Sequence, residues 1–87
     1  MDTLFRIYTE DINRDAVLAI TGQTFDAFTC IPSNGVWQGT SEASLILEIA
    51  GKDSDAIAVR GLAQHIKAMN HQDAVLITRT PFEGVLV

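Results

Sequence analysis

ASLILEIAGKDSDAIAVRGLAQHIKAMN, residues 43–70, changes its hydrophobic period once along its length. In the first eight residues Ala43, Leu45, Leu47 and Ile49 alternate with Ser44, Ile46, Glu48 and Ala50, the period of two that a strand imposes on its side chains. Gly51-Lys52-Asp53-Ser54 ends that run and supplies a helix N-cap. From Asp55 to Asn70 the apolar residues Val59, Leu62, Ala63, Ile66 and Met69 recur at i, i+3, i+4, i+7 and i+10, with Arg60, Gln64 and Lys67 opposite them. That is the stripe of an amphipathic helix. The segment is therefore a strand followed by a helix.

Upstream, Leu4 to Thr9 is a first strand, and Asp11 or Asn13 can cap the helix whose apolar positions Val17, Leu18, Ile20, Thr24 and Phe25 follow. A second strand starts at Phe28-Thr29-Cys30-Ile31. Two hairpins then compete, one turning at Asn34-Gly35 and one at Gly39-Thr40. The later turn leaves two strands of more equal length, with a bulge expected at the Pro32 to Gly35 stretch. Downstream, Asn70-His71-Gln72-Asp73 breaks the second helix and Ala74 to Thr78 is a fourth strand. Pro81-Phe82-Glu83-Gly84 separates that strand from the apolar tail Val85-Leu86-Val87.

The order β-α-β-β-α-β, with right-handed crossovers, is the ferredoxin-like arrangement of the α+β class: an antiparallel sheet in order 4-1-3-2 with both helices on one face. At 87 residues the chain holds one hydrophobic core, so residues 1–87 form a single domain. Val17, Ile20, Phe5, Ile7, Leu45, Leu47, Val59, Leu62, Ala63 and Ile66 are its expected core. The helices cover only one sheet face, and the other still carries Leu4, Tyr8 and Ile46. An apolar second face is best hidden in an oligomer, a dimer or trimer.

Net charge is −5, and the six Lys and Arg residues are scattered, which leaves no cationic surface for nucleic acid. No apolar run approaches the roughly 18 residues of a membrane span, and the lone Cys30 does not call for an oxidising compartment. A cytoplasmic location is the expectation. Phosphate loops, paired-cysteine metal sites and nucleophile elbows are absent from the sequence. Cys30 reads as a buried structural thiol and His65 as a partly exposed helical residue.

Topology offers one constellation that spacing does not. Strands one and two exit at the sheet end where three and four enter, which gathers Tyr8, Glu10, Asp11, Trp37, Gln38, Ser41, Glu42, His71, Gln72 and Asp73. Carboxylates, an imidazole and an indole there suit a cation, a polar small molecule or acid-base chemistry. The same residues also fit ordinary solvated turns with Trp37 anchoring the hairpin. No cofactor is expected beyond a divalent cation such as zinc or manganese at these carboxylates and His71.

Trp37-Gln38-Gly39, Glu42, the run Leu45 to Ile49, the helix, His71 and the strand Val75-Leu76-Ile77 together resemble the divalent-cation-tolerance (CutA-type) proteins, fold relatives of the PII signalling proteins. The sequence departs from that group in having Ala50-Gly51-Lys52 where a Lys-Thr pair closes strand three, and in the residues after the His. The resemblance implies a trimeric ferredoxin-like protein that binds metal ions or small effectors near subunit interfaces. The leading functional reading is a non-enzymatic oligomeric module for a small ligand, an ion or a protein partner. A small enzyme of the dimeric α/β-barrel type, with His71 or Glu10 as general base, is the alternative from another class. A third is an acidic inhibitor or interaction protein from a mobile element.

Overall fold

A computed structural model describes residues 2–87. Strand β1 spans Thr3–Glu10, helix α1 Arg14–Thr24, strand β2 Thr29–Trp37, strand β3 Thr40–Gly51, helix α2 Ala56–Met69 and strand β4 Leu76–Pro81, with a short 3-10 turn at Asp53–Asp55 before α2. The strands form one sheet in the order β2-β3-β1-β4, antiparallel throughout. This is the ferredoxin-like α+β fold that the sequence leads one to expect.

β2 and β3 pair from Thr29 opposite Glu48 to Trp37 opposite Thr40 without a slipped residue. The bulge expected between Pro32 and Gly35 is not formed. β2 is an edge strand, so Pro32 fits the flat ladder. The hairpin turns at Gln38 and Gly39, whose φ angles of 51° and 78° are both positive. A two-residue turn of that hand matches the twist of the flanking strands, which is why Gly39 wins over Asn34-Gly35.

Phe5, Ile7, Leu45, Leu47 and Ile49 point from the sheet into the core, where they meet Val17 of α1 and Val59, Leu62, Ala63 and Ile66 of α2. Ile20 is only partly buried against this cluster, and Thr21 takes the central position on α1, its hydroxyl donating to the Val17 carbonyl at 2.7 Å. A hydroxyl satisfied inside its own helix is nearly apolar to its surroundings. Cys30 is half-buried rather than buried, and loss of solvent raises its thiol pKa.

The helix starts differ from expectation. Asn13 stands at the start of α1 with φ 52° and makes no capping bond. Its side-chain amide donates instead to Asn70 at 2.9 Å, tying the start of α1 to the end of α2. Before α2 the Asp55 carboxylate accepts from the Lys52 backbone N–H, and Thr3 donates to Asp53 at 2.6 Å. β4 begins later than Ala74 and runs through Thr80 to Pro81, while Val85, Leu86 and Val87 lie exposed outside any strand.

Leu62 is buried at the centre of the α2 stripe, so Leu62→Ala is expected to cost about 2 to 5 kcal/mol. Chemical denaturation reads this directly, and an unchanged midpoint would place Leu62 outside the core.

Candidate functional site

With Phe5, Ile7, Leu45 and Leu47 turned to the helices, the alternate residues of the same strands face the other way. Arg6, Tyr8 and Glu10 of β1 stand beside Ser44, Ile46 and Glu48 of β3, with Ser33 of β2 opposite Ser44 and Leu76 of β4 opposite Tyr8. At the hairpin end this open face deepens into a cleft of about 520 Å³. Its floor is Tyr8, Glu10, Glu42, Ser44 and Ile46. The hairpin from Ser33 to Trp37 forms one wall, and the loop from Gln72 to Leu76 forms the other.

The cleft exists because β4 starts late. Pairing of β1 with β4 ends at Tyr8 opposite Leu76, so Thr9 and Glu10 have no strand beside them on that side. Gln72 takes the strand's place: its carboxamide oxygen accepts from the Glu10 N–H at 3.0 Å, and its amide donates to the Thr9 hydroxyl at 2.6 Å. Asn70 completes the tie by donating to the Ile12 carbonyl at 2.9 Å. Gln72 and Asn70 are both buried and both satisfied, as buried polar groups must be.

Two carboxylates share the floor. Glu10 lies opposite Ser44, and Glu42 is the next residue of β3 on the same face. The Glu10 carboxyl is pushed above its ordinary range, first by a hydrogen bond with the Glu42 side chain, then by loss of solvent, and then by repulsion from Glu42 and Asp73. A protonated Glu10 donates to an ionised Glu42, whereas two ionised carboxylates repel. On the cleft floor the hydroxyls of Ser33 and Ser44 are 2.7 Å apart and share one hydrogen bond.

Of the ten residues that topology gathers in the sequence, Tyr8, Glu10, Trp37, Glu42, Gln72 and Asp73 line the cleft. Asp11, Gln38, Ser41 and His71 do not. Asp11 is held by the Arg14 guanidinium, which lowers its pKa, and Gln38 is spent on the positive-φ turn. His71 sits exposed at φ 53°, also a turn position. Ser33, Gly35, Ser44 and Leu76 were not singled out. Fixing the turn at Gln38-Gly39 and counting back in twos finds the first three, but no local signal marks where β4 begins.

The divalent-cation expectation lacks a ligand set: among the described residues no three of His, Cys, Asp and Glu gather closely enough to hold a metal ion. Among the same residues no helix is long and apolar enough to cross a membrane. A second, more open hollow of about 410 Å³ lies between α2 and β4 and carries Arg60 and Lys67.

The Glu10–Glu42 pair has a definite effect on stability. Because folding raises the Glu10 pKa, the folded state binds this proton more tightly than the unfolded state. The contribution to stability therefore falls as pH rises from the ordinary carboxylate value of about 4.3 through the raised one. Glu10→Gln should raise the thermal midpoint at neutral pH, and the gain over the original protein should shrink on acidification toward that ordinary value. Calorimetry across this range checks it; a gain independent of pH would show that the two carboxyls do not interact.

No family model matches the sequence, and no curated protein does. Solved structures do match in shape. A phage SAM lyase in complex with S-methyl-5'-thioadenosine superposes with a TM-score of 0.74 at 16% identity, over 92% of this chain and 81% of that one. A DUF3240 family protein from Shewanella baltica gives 0.75 at 12% identity, over 99% and 97%. CutA1 from Pyrococcus horikoshii gives 0.61 at 12% identity, over 99% and 87%. At such identities the likeness is one of fold: this chain shares the ferredoxin-like arrangement with these proteins, CutA1 among them.

Proposed function

We propose that the protein is a small self-associating binding module that takes an organic ligand in the cleft at the hairpin end of its sheet and does not transform it. The cleft carries this reading. Its volume of about 520 Å³ lies within the roughly 300 to 1,000 Å³ usual for small-molecule sites, and it combines apolar walls with a few convergent polar groups. Tyr8, Trp37, Ile46 and Leu76 supply the apolar surface; Glu10, Glu42 and the Ser33–Ser44 pair supply the polar groups. Trp37, 46% exposed in the free chain, is placed to close over a bound molecule.

Self-association is supported by what the single chain leaves uncovered. β2 and β4 each have a strand on one side only, and Ile31, Leu76 and the tail Val85-Leu86-Val87 are exposed. Open edges and apolar surface of this kind invite pairing with another copy. Light scattering at micromolar concentration should report at least twice the chain mass of 9.5 kDa; a monomer would remove the oligomer from the reading.

An enzymatic reading is favoured by one feature, a carboxyl at the edge of an apolar cleft whose pKa is raised, the direction that suits a general acid or base. The shared fold of the phage SAM lyase gives that reading a first substrate to try. Trp37 is the sole tryptophan, so its fluorescence reports on the cleft. It should be followed, with the thermal midpoint, against amines, amino acids, nucleosides including S-methyl-5'-thioadenosine, and divalent ions, in the original protein and in Tyr8→Ala and Glu42→Gln. A ligand that shifts both signals, and loses its effect in both variants, supports the module. Silence across the panel would overturn it. Consumption of SAM that Glu10→Gln abolishes would replace it with the enzyme.

A further inference from the structure

Resting on the binding reading above, we infer that the cleft selects an organic cation, a molecule bearing an alkylated ammonium or similar diffuse positive charge, over neutral or anionic molecules of the same shape. Three acids line the cleft, Glu10, Glu42 and Asp73, and no Lys, Arg or His stands among its lining residues. Lys52 and Arg79 are not among the lining residues, and the other four Lys and Arg residues are paired or lie elsewhere. Arg6, on the same sheet face, bonds Glu48 at 2.9 Å; Arg14 pairs with Asp11; Arg60 and Lys67 line the hollow on the far side of the loop and β4. The field in the cleft is therefore one-signed, and a cation entering it meets no competing internal partner.

The form of the charge follows from the same residues. A small metal ion must replace its hydration shell with several fixed ligands, and no three suitable side chains converge here. A quaternary ammonium makes no directional demands. It is stabilised by aromatic faces and by nearby negative charge, and Tyr8 and Trp37 stand on the floor and wall of this cleft beside the carboxylates. The Ser33–Ser44 hydroxyls offer a donor and an acceptor to a polar group carried by the same molecule.

The crowding of the three acids shows in Glu10, whose pKa is raised by the hydrogen bond with the Glu42 side chain, by loss of solvent and by repulsion from Glu42 and Asp73. A bound cation relieves that repulsion and favours the ionised carboxylates, which a neutral ligand of the same shape does not do.

Choline, its neutral carbon isostere dimethylbutanol and the anion dimethylbutyrate share one shape and differ in charge. Titrations at neutral pH, read by Trp37 fluorescence and calorimetry, should give choline an affinity about tenfold or more above both, the combined worth of a desolvated cation–π contact and nearby carboxylates. Glu10→Gln and Glu42→Gln should each remove most of that preference while leaving dimethylbutanol binding unchanged. Asp26→Asn, the same charge change in the loop between α1 and β2, should leave all three unchanged. Both cleft variants relieve a repulsion, so they are expected to fold, and their thermal midpoints check this. Equal binding of choline and dimethylbutanol would overturn the cation selection and leave the cleft as a ligand site. A preference for dimethylbutyrate, no response to choline, or loss of the preference in Asp26→Asn would overturn it as well.

Discussion

The register of β3 against its two neighbours is the constraint on which everything else depends. Side chains alternate along a strand, so a slip of one residue would carry Leu45, Leu47 and Ile49 to the open face and Ser44, Ile46 and Glu48 into the core. The core cannot accept Glu48, which is instead paired with Arg6 directly opposite it at 2.9 Å. The turn at Gln38-Gly39 fixes the same register from the other side by leaving no spare residue between Trp37 and Thr40. Packing and turn geometry thus agree, and their agreement is what delivers Glu42, Ser44 and Ile46 to one cleft.

The second requirement is that the loop after α2 be held beside β1 where no strand supports it. Three side-chain amides do this. Asn13 and Asn70 join the two helix ends, while Gln72 binds both the Thr9 hydroxyl and the Glu10 N–H. Each bond contributes about 1 kcal/mol net, but a buried amide deprived of its partner costs about 1 to 3 kcal/mol. The loop is therefore locked in an all-or-none manner. Had β4 simply begun two residues earlier, at Ala74, it would have paired with Thr9 and Glu10, and its side chains would have filled the space that the cleft now occupies.

Period and turn chemistry made most of the fold legible in the sequence. The alternation from Ala43 to Ala50 and the stripe from Val59 to Met69 set the element types, the strand order and the core, because burial acts on those same periodicities. What escaped was set by contacts distant in the chain. Asn13 looks like a cap until Asn70, at the end of α2, claims its amide, and nothing in the hydrophobic stripe of α1 marks Thr21 as the residue whose hydroxyl turns back on the helix at its centre. At the cleft, Tyr8, Glu10, Trp37, Glu42 and Gln72 could be gathered from topology alone. Asp11 and His71 could not be set aside from topology, since the ion pair with Arg14 and the positive φ at His71 follow from local geometry that polarity does not announce.

The carboxylates of Glu10 and Glu42 stand apart from the rest of the structure in one respect. Polar groups elsewhere are partnered by groups of complementary character: amide with amide, hydroxyl with carbonyl, guanidinium with carboxylate. Here two acids are set side by side with a third, Asp73, close by, and the Glu10 pKa is raised by its hydrogen bond with Glu42, by loss of solvent and by repulsion from both neighbours. Nothing in the fold asks for it. Glu10 serves the clamp through its backbone N–H, which any residue but proline supplies, and Glu42 lies opposite Gly35, where a neutral side chain of the same size would fit the strand equally well. Sequences that fold well keep local choices consistent with the whole, and a conflict that the fold does not require is the usual mark of a position chosen for something else. The position in question opens onto the apolar cleft beneath Trp37, where a charge of opposite sign would turn the conflict into an attraction.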